Sequence, residues 1–350
     1  MNRRSVTLVV SGAVIVVLIA AAALLPVPYV MYSPGPTADT LGEHNGESVI
    51  QVEGAQTYPT AGRLDLTTVG VTSADAEVDL VSALRAWVDP DRAVVPREMV
   101  YPPGTTVEES QQQNAQQLNV SEQTAMAVAL RALGHDVPER VVVGSVVAGA
   151  PADGTLEAGD VILAVDDTEI TQPQDVVDAV TAHGVGETVR FELRRDGQRQ
   201  TVEASTTAAE DDGRPVVGFS PTLGFDVPID INIQIDDRIG GPSAGMIFAI
   251  AIYDTLTDGA LLDGMHVAGT GEINPSGEVG AIGGIQQKIS AASDNGADLF
   301  LAPSGNCAAA EGANGGDMPV VPVETVDDAV TAIETAAAGD GTELPRCDAS

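Results

Sequence analysis

Two residues in this sequence pair a nucleophile with a base of matching chemistry. Ser243 lies in GGPSAG, just ahead of the apolar run MIFAIAIYDTL, and Lys288 lies in AIGGIQQKISAAS. Lys288 is the sole lysine among 16 basic residues, so this chain uses arginine wherever a generic positive charge suffices. Arginine stays protonated in proteins, whereas a buried lysine can lose its proton. To act as a base near neutral pH, a lysine must fall from about 10.4 to about 7, roughly 4 kcal/mol of preference for the neutral amine. The spacing around Lys288 favours that burial. Ile285, Ile289 and Ala292 recur at helical intervals and put Lys288 on their apolar face, away from Gln286, Gln287 and Ser290. Taken alone, Lys288 could equally be a lysine whose stem lies on the core with its head in water, and Ser243 could be a helix cap.

Ser243 has what a nucleophile needs around it. Pro242 suits a first helical turn, and the flanking glycines let another backbone approach closely. A helix start there leaves unpaired N–H groups and a positive dipole end for a developing oxyanion, with Gly241, Pro242 and Ala244 as the backbone candidates. GPSAG also fits the G-x-S-x-G elbow of the α/β-hydrolases, but that fold needs an acid and then a histidine further along the chain. Only His266 follows Ser243, and too closely for the rest of such a sheet. No H-E-x-x-H occurs, and His44, His135, His183 and His266 are scattered without ligand spacing, as surface or structural residues are. A serine activated by a neutral lysine remains, chemistry that calls for no metal or cofactor.

The elements that must position this pair follow from the pattern along the chain. The run from Ser5 through Leu25 carries no charge, follows Arg3 and Arg4, and is long enough for a bilayer core. The expectation is an uncleaved, single-pass membrane anchor with a cytoplasmic N-terminus, in preference to a signal peptide cut near Ala21 or Ala23. Everything after it is then extracytoplasmic, and Cys307 and Cys347, the only cysteines, are expected to form a disulfide in that oxidising setting. YSPGPTADTLG reads as a linker or a tight lead into the first fold. SVIQVEG and GRLDLTTVGV look like paired strands, and SEQTAMAVALRALG like a helix capped by Ser121 and stopped at Gly134. With 44% hydrophobic and 3% aromatic residues, the cores must be built from Val, Ile, Leu and Ala. A net charge of −35 excludes nucleic acid as a natural partner.

Residues 138–207 contain GAPA and LEAGDVILAVDDTEI and resemble a PDZ domain of bacterial envelope proteases. That resemblance implies binding of extended peptides by strand addition. The glycine-rich carboxylate-binding loop of such domains is expected just before Val141, where VPER stands instead. GGPSAG followed by GTGEINPSGEVGAIGGIQQKISAA resembles the proteolytic domain of Lon-type proteases, which use a Ser-Lys dyad. The resemblance assigns Ser243 as nucleophile, Lys288 as general base and Thr270 as a support for the lysine. Gly240 stands where many members carry an acid. The single lysine leaves none for a G-x-x-x-x-G-K-[ST] loop, so no ATP-driven motor is encoded here.

With the anchor, the whole chain resembles the membrane-anchored PDZ-containing Lon-like serine proteases of Gram-positive bacteria. The expected architecture is α+β. Residues 1–33 form the cytoplasmic tip and anchor, and 34–137 a linker with strands and helices that would be the first half of a discontinuous Lon-type domain. The PDZ module (138–207) is inserted there, and the Lon-type domain with the dyad (208–338) and a tail (339–350) follow. Unfolded proteins or peptides are the implied substrates, the lipid bilayer a partner through the N-terminal helix, and a homo-oligomeric ring the implied assembly. The competing reading is a membrane-tethered PDZ adaptor whose Lon-like domain is inactive and serves assembly.

Overall fold

Alternate residues of a β-strand face opposite sides of its sheet, and that sorting organises the domain that carries Ser243 and Lys288. A computed structural model describes residues 10–17, 25–195, 197–209, 212–339 and 344–347. The first part of the chain supplies strands β1 (Tyr29–Asp39), β2 (Ile50–Glu53), β3 (Arg63–Val71) and β4 (Ala93–Pro96), then helix α1 (Val107–Ala132). The middle supplies β5 (Glu139–Val146), β6 (Val161–Val165), α2 (Pro173–Thr181), β7 (Thr188–Arg195), β8 (Gln198–Ser205) and β9 (Phe219–Phe225). The last part supplies β10 (Asp230–Ile233), α3 (Gly245–Leu256), β11 (His266–Gly269), α4 (Ile285–Asp294), β12 (Leu299–Pro303), β13 (Val320–Val323) and α5 (Val326–Ala337).

A mixed six-stranded sheet runs in the order β13-β12-β11-β3-β1-β4. Its first four strands are parallel, and β1 is antiparallel to β3 and β4. On one face, Leu64, Leu66, Val267, Leu299 and Leu301 pack with residues of α1, α3 and α5. On the other, Ala268, Phe300 and Ala302 pack with Ile285, Ile289 and Ala292 of α4. Helix α3 lies inside this sandwich, buried nearly all round, which explains why its sequence shows no polar face. The first of these cores joins residues from both sides of the middle segment, Leu130 and Val137 with Ile231 and Ile333.

The middle segment folds on its own antiparallel sheet, β8-β7-β6-β5-β9, around Phe191, Leu193, Val176 and Val180. Strand β9 was expected in the following domain; it instead pairs with β5 and forms the edge of this sheet next to α2. Val217 and Gly218, and not the VPER stretch, lead into that edge, and Gly218 adopts φ +86° against the side chain of Ala150.

Several other expectations are corrected. The membrane-crossing helix is not supported, because no helix among the described residues is long and apolar enough to cross a bilayer. Residues 10–17 are helical, and the remainder of the expected span, 5–9 and 18–24, lies outside the described residues. YSPGPTADTLG is no linker: most of it is β1, inside the main sheet, where a bulge between Pro34 and Thr37 accommodates residues that cannot donate to a ladder. SVIQVEG and GRLDLTTVGV do not pair with each other; β2 pairs with β10, and β3 lies between β1 and β11. Ser121 is not a cap but sits within α1, whose true start is Thr106 in a reciprocal capping box with Glu109.

Cys307 and Cys347 form a disulfide with Cα atoms 4.8 Å apart, and Cys347 packs beneath α4. Closing this 40-residue loop should stabilise the fold by about 4 kcal/mol on loop-entropy grounds. The double substitution Cys307→Ser, Cys347→Ser is expected to lower the urea midpoint, with added reductant shifting the parent protein equally and the variant not at all.

Candidate active site

Ser243 lies in the turn just ahead of α3, outside the helix that the sequence was expected to start there, and Lys288 lies on α4; the two helices pack on opposite faces of the main sheet. The two residues meet beyond the end of β11, where the chain turns through Thr270. Helix α4 starts at Gly284, which holds a left-handed φ of +68° and whose absent Cβ would strike Val69 at 2.5 Å. A glycine is therefore required there for both conformation and space. One turn later Lys288 projects inward and is only 3% exposed. Its Nζ donates to Ser243 Oγ at 2.7 Å and to Thr270 Oγ1 at 2.8 Å. Thr270 Oγ1 in turn donates to the Ser243 carbonyl at 3.0 Å, and the Gly271 N–H donates to the same carbonyl at 2.9 Å. Burial, the dominant influence, pushes the Lys288 ammonium down to about 7. The helix is drier than its pattern suggests: Gln287 and Ser290, read as a polar face, are also buried, and Ser290 donates to Asp91 at 2.9 Å.

Lys288 thus touches both side chains expected to act with it, and Thr270 reaches the Ser243 backbone. The neutral amine has one lone pair, and with an N–H committed to Thr270 that lone pair can meet the Ser243 hydroxyl. Ser243 and Lys288 open onto a cavity of about 830 Å³, lined also by Tyr101, Asn114, Arg238 and Ala244.

Among the backbone candidates for an oxyanion site, two are corrected. Pro242 has no N–H to offer, and the Gly241 N–H already donates to the Asn114 carbonyl at 2.9 Å. Ala244 remains, joined by Ser243 itself; neither N–H has a protein acceptor among the described residues. Asn114 and Ser121 of α1 were not foreseen as neighbours of the nucleophile. Ser121 Oγ donates to the Pro242 carbonyl at 2.9 Å, and the one hint in the sequence is a hydroxyl amid the alanine-rich, buried half of a helix.

His266 is excluded from the chemistry by position. It begins β11, about 13 Å of strand from Thr270, and its Nε2 pairs with buried Asp65 at 3.0 Å. Among the described residues, no group of three or more His, Cys, Asp or Glu side chains could hold a metal ion.

Residues 236–334 match the Lon protease (S16) C-terminal proteolytic domain, and residues 106–206 match a PDZ domain. The second match takes in α1, which the structure packs against α3. The chain is 32% identical over 152 residues to the Lon protease of Roseiflexus castenholzii, covering 43% of this chain and 17% of that protein. It is 37% identical over 81 residues to the serine protease Do-like HtrA of Lactococcus lactis, covering 23% of this chain and 20% of that protein. Among solved structures, the PDZ domain of an SdrC-like protein from Listeria innocua is 29% identical, with 23% of this chain and 92% of that one covered and a TM-score of 0.23. The chain therefore spans only 17% to 20% of the length of these two full-length relatives. Fold and site together define a Lon-type serine peptidase domain. The chain combines that domain with a PDZ domain.

The depressed lysine gives a stability signature with a fixed sign. Between its folded value of about 7 and the unfolded value of 10.5, the unfolded chain holds a proton that the folded chain lacks, so stability must rise with pH across that window. Lys288→Met removes the effect. The stability difference between parent and Lys288→Met should shift in the parent's favour by about 2 kcal/mol from pH 7 to pH 9. Glu122, which burial pushes up to about 7, acts with opposite sign below this window and cancels in the comparison. Equal pH dependence in the two proteins would refute the neutral amine.

Proposed function

We propose that this chain is an ATP-independent serine endopeptidase that cuts unfolded or exposed polypeptide segments outside the cytoplasm. The observation that carries the reading is the 2.7 Å contact between Ser243 Oγ and a lysine amine held out of water near neutrality. The adaptor reading requires an inactive site, and an intact, oriented dyad opening onto a cavity weighs against it.

In the proposed reaction, neutral Lys288 takes the Ser243 hydroxyl proton as Oγ bonds to the scissile carbonyl carbon. The resulting ammonium returns a proton to the leaving amine nitrogen, and the peptide C–N bond breaks. Lys288, neutral again, deprotonates a water that attacks the acyl carbon, and Ser243 recovers its proton as the ester bond breaks. Thr270 holds Nζ in line throughout, and the free N–H groups of Ser243 and Ala244 face the developing oxyanion.

Independence from ATP is supported by the sole lysine being committed to Ser243, and an oxidising location by the Cys307–Cys347 disulfide. The substrates of such an enzyme are segments that are already extended. Edge strand β9 beside α2 supports their capture by strand addition, and the chain continues from β9 through β10 to Ser243.

Hydrolysis of a fluorescently labelled unfolded protein, without nucleotide, tests the dyad. The parent should be active, while Ser243→Ala and Lys288→Arg fall by at least ~1000-fold. Equal rates in all three would overturn the reading. For the parent, kcat/KM should rise through about pH 7 as Lys288 loses its proton and then level off. A profile with no such rise would remove Lys288 as the base.

A further inference from the structure

Building on the peptidase reading, we infer that Ser121 is a positioning residue that aims the oxyanion-binding N–H of Ser243 from a helix remote in sequence. A serine inside a helix ordinarily returns its hydroxyl bond to the carbonyl four residues earlier. Ser121, 5% exposed in the middle of α1, instead donates to the Pro242 carbonyl at 2.9 Å. In a planar trans peptide the C=O and the following N–H point in opposite directions. Fixing the Pro242 carbonyl towards α1 therefore fixes the Ser243 N–H away from α1.

The next peptide is set in the same way. Thr270 Oγ1 and the Gly271 N–H both hold the Ser243 carbonyl, which directs the Ala244 N–H away from them. Ser243 and Ala244 line the cavity, whereas Ser121, Pro242 and Gly271 do not. Two carbonyl clamps on successive peptides thus leave, at the cavity wall, two N–H groups with no protein acceptor among the described residues. Only one clamp, through Thr270, also touches the lysine; Ser121 acts on the peptide alone. Gly245 makes room for it, because a Cβ at that position would meet Ser121 Oγ at 2.7 Å.

Separating these roles gives the test. Ser121→Ala keeps a good helix former in α1 but frees the Pro242–Ser243 peptide to turn. The expected result on the full chain is a fall in kcat of ~10- to 100-fold, less than the loss of an entire oxyanion donor, with KM within about two-fold. A peptidyl boronic acid, whose adduct on Ser243 Oγ places an oxygen in the oxyanion position, should lose affinity by the same factor as kcat/KM. The pH midpoint set by Lys288 should not move. Unchanged kcat, a loss confined to KM, undiminished boronate affinity or a displaced midpoint would each overturn the assignment. A parent protein that hydrolyses nothing would refute the peptidase reading and not this one. The crystal structure of Ser121→Ala would then decide: a turned Pro242–Ser243 peptide supports the clamp, and an unmoved one overturns it.

Discussion

Keeping a single amine dry at the end of a β-sheet is the constraint that the rest of the domain serves. Among the described residues no carboxylate pairs with Lys288, and burial lowers its proton affinity. A water channel or a nearby acid would restore the ammonium, so the surroundings must be apolar and close-packed. The sheet provides this through small residues on the α4 face, Ala268 and Ala302, which let the helix lie close, and through Gly284, which turns the chain tightly against Val69. The same constraint explains why nucleophile and base come from opposite faces. Their only common ground lies past the strand ends, and Thr270 occupies it with one hydroxyl that accepts from Lys288 and donates to the Ser243 backbone.

Much of this centre could be read from the residues. The sole lysine, its place among Ile285, Ile289 and Ala292, and the inability of arginine to deprotonate identify Lys288, because helical periodicity reports which side faces inward. The same periodicity misjudged Gln287 and Ser290, since a helix clasped on several sides buries its polar flank too. Strand β1 was hidden because its prolines and Gly35 look like a linker, and only the bulge and the close approach to Thr68 show how they fit a sheet. Strand β9 falls within the span read as the Lon-type domain and not within the PDZ span, because sequence pattern does not tell which sheet a strand joins. Ser121 and Asn114 could not be tied to the nucleophile from local pattern, since their partners lie more than a hundred residues further on.

The placement of the PDZ domain follows from how the two halves of the peptidase core are held. The chain leaves that core after α1 and returns at β10, and Arg131 in the last turn of α1 pins both ends. Its Nε donates to the Val137 carbonyl at 3.0 Å, where the PDZ domain begins, and its guanidinium lies over the Phe225 ring, where the domain ends. Arg131 Nη1 also donates to the Pro275 carbonyl at 2.8 Å, in the turn between the Thr270 segment and α4. Helix α1 carries the two contacts, through Asn114 and Ser121, that hold Gly241 and Pro242 beside the nucleophile. An unbroken set of packed and hydrogen-bonded groups therefore runs from the edge strand of the PDZ sheet to the peptide that presents Ser243. A domain attached at either end of the chain would lack that connection. Insertion at this junction makes the helix that orients the serine also the helix from which the PDZ domain departs.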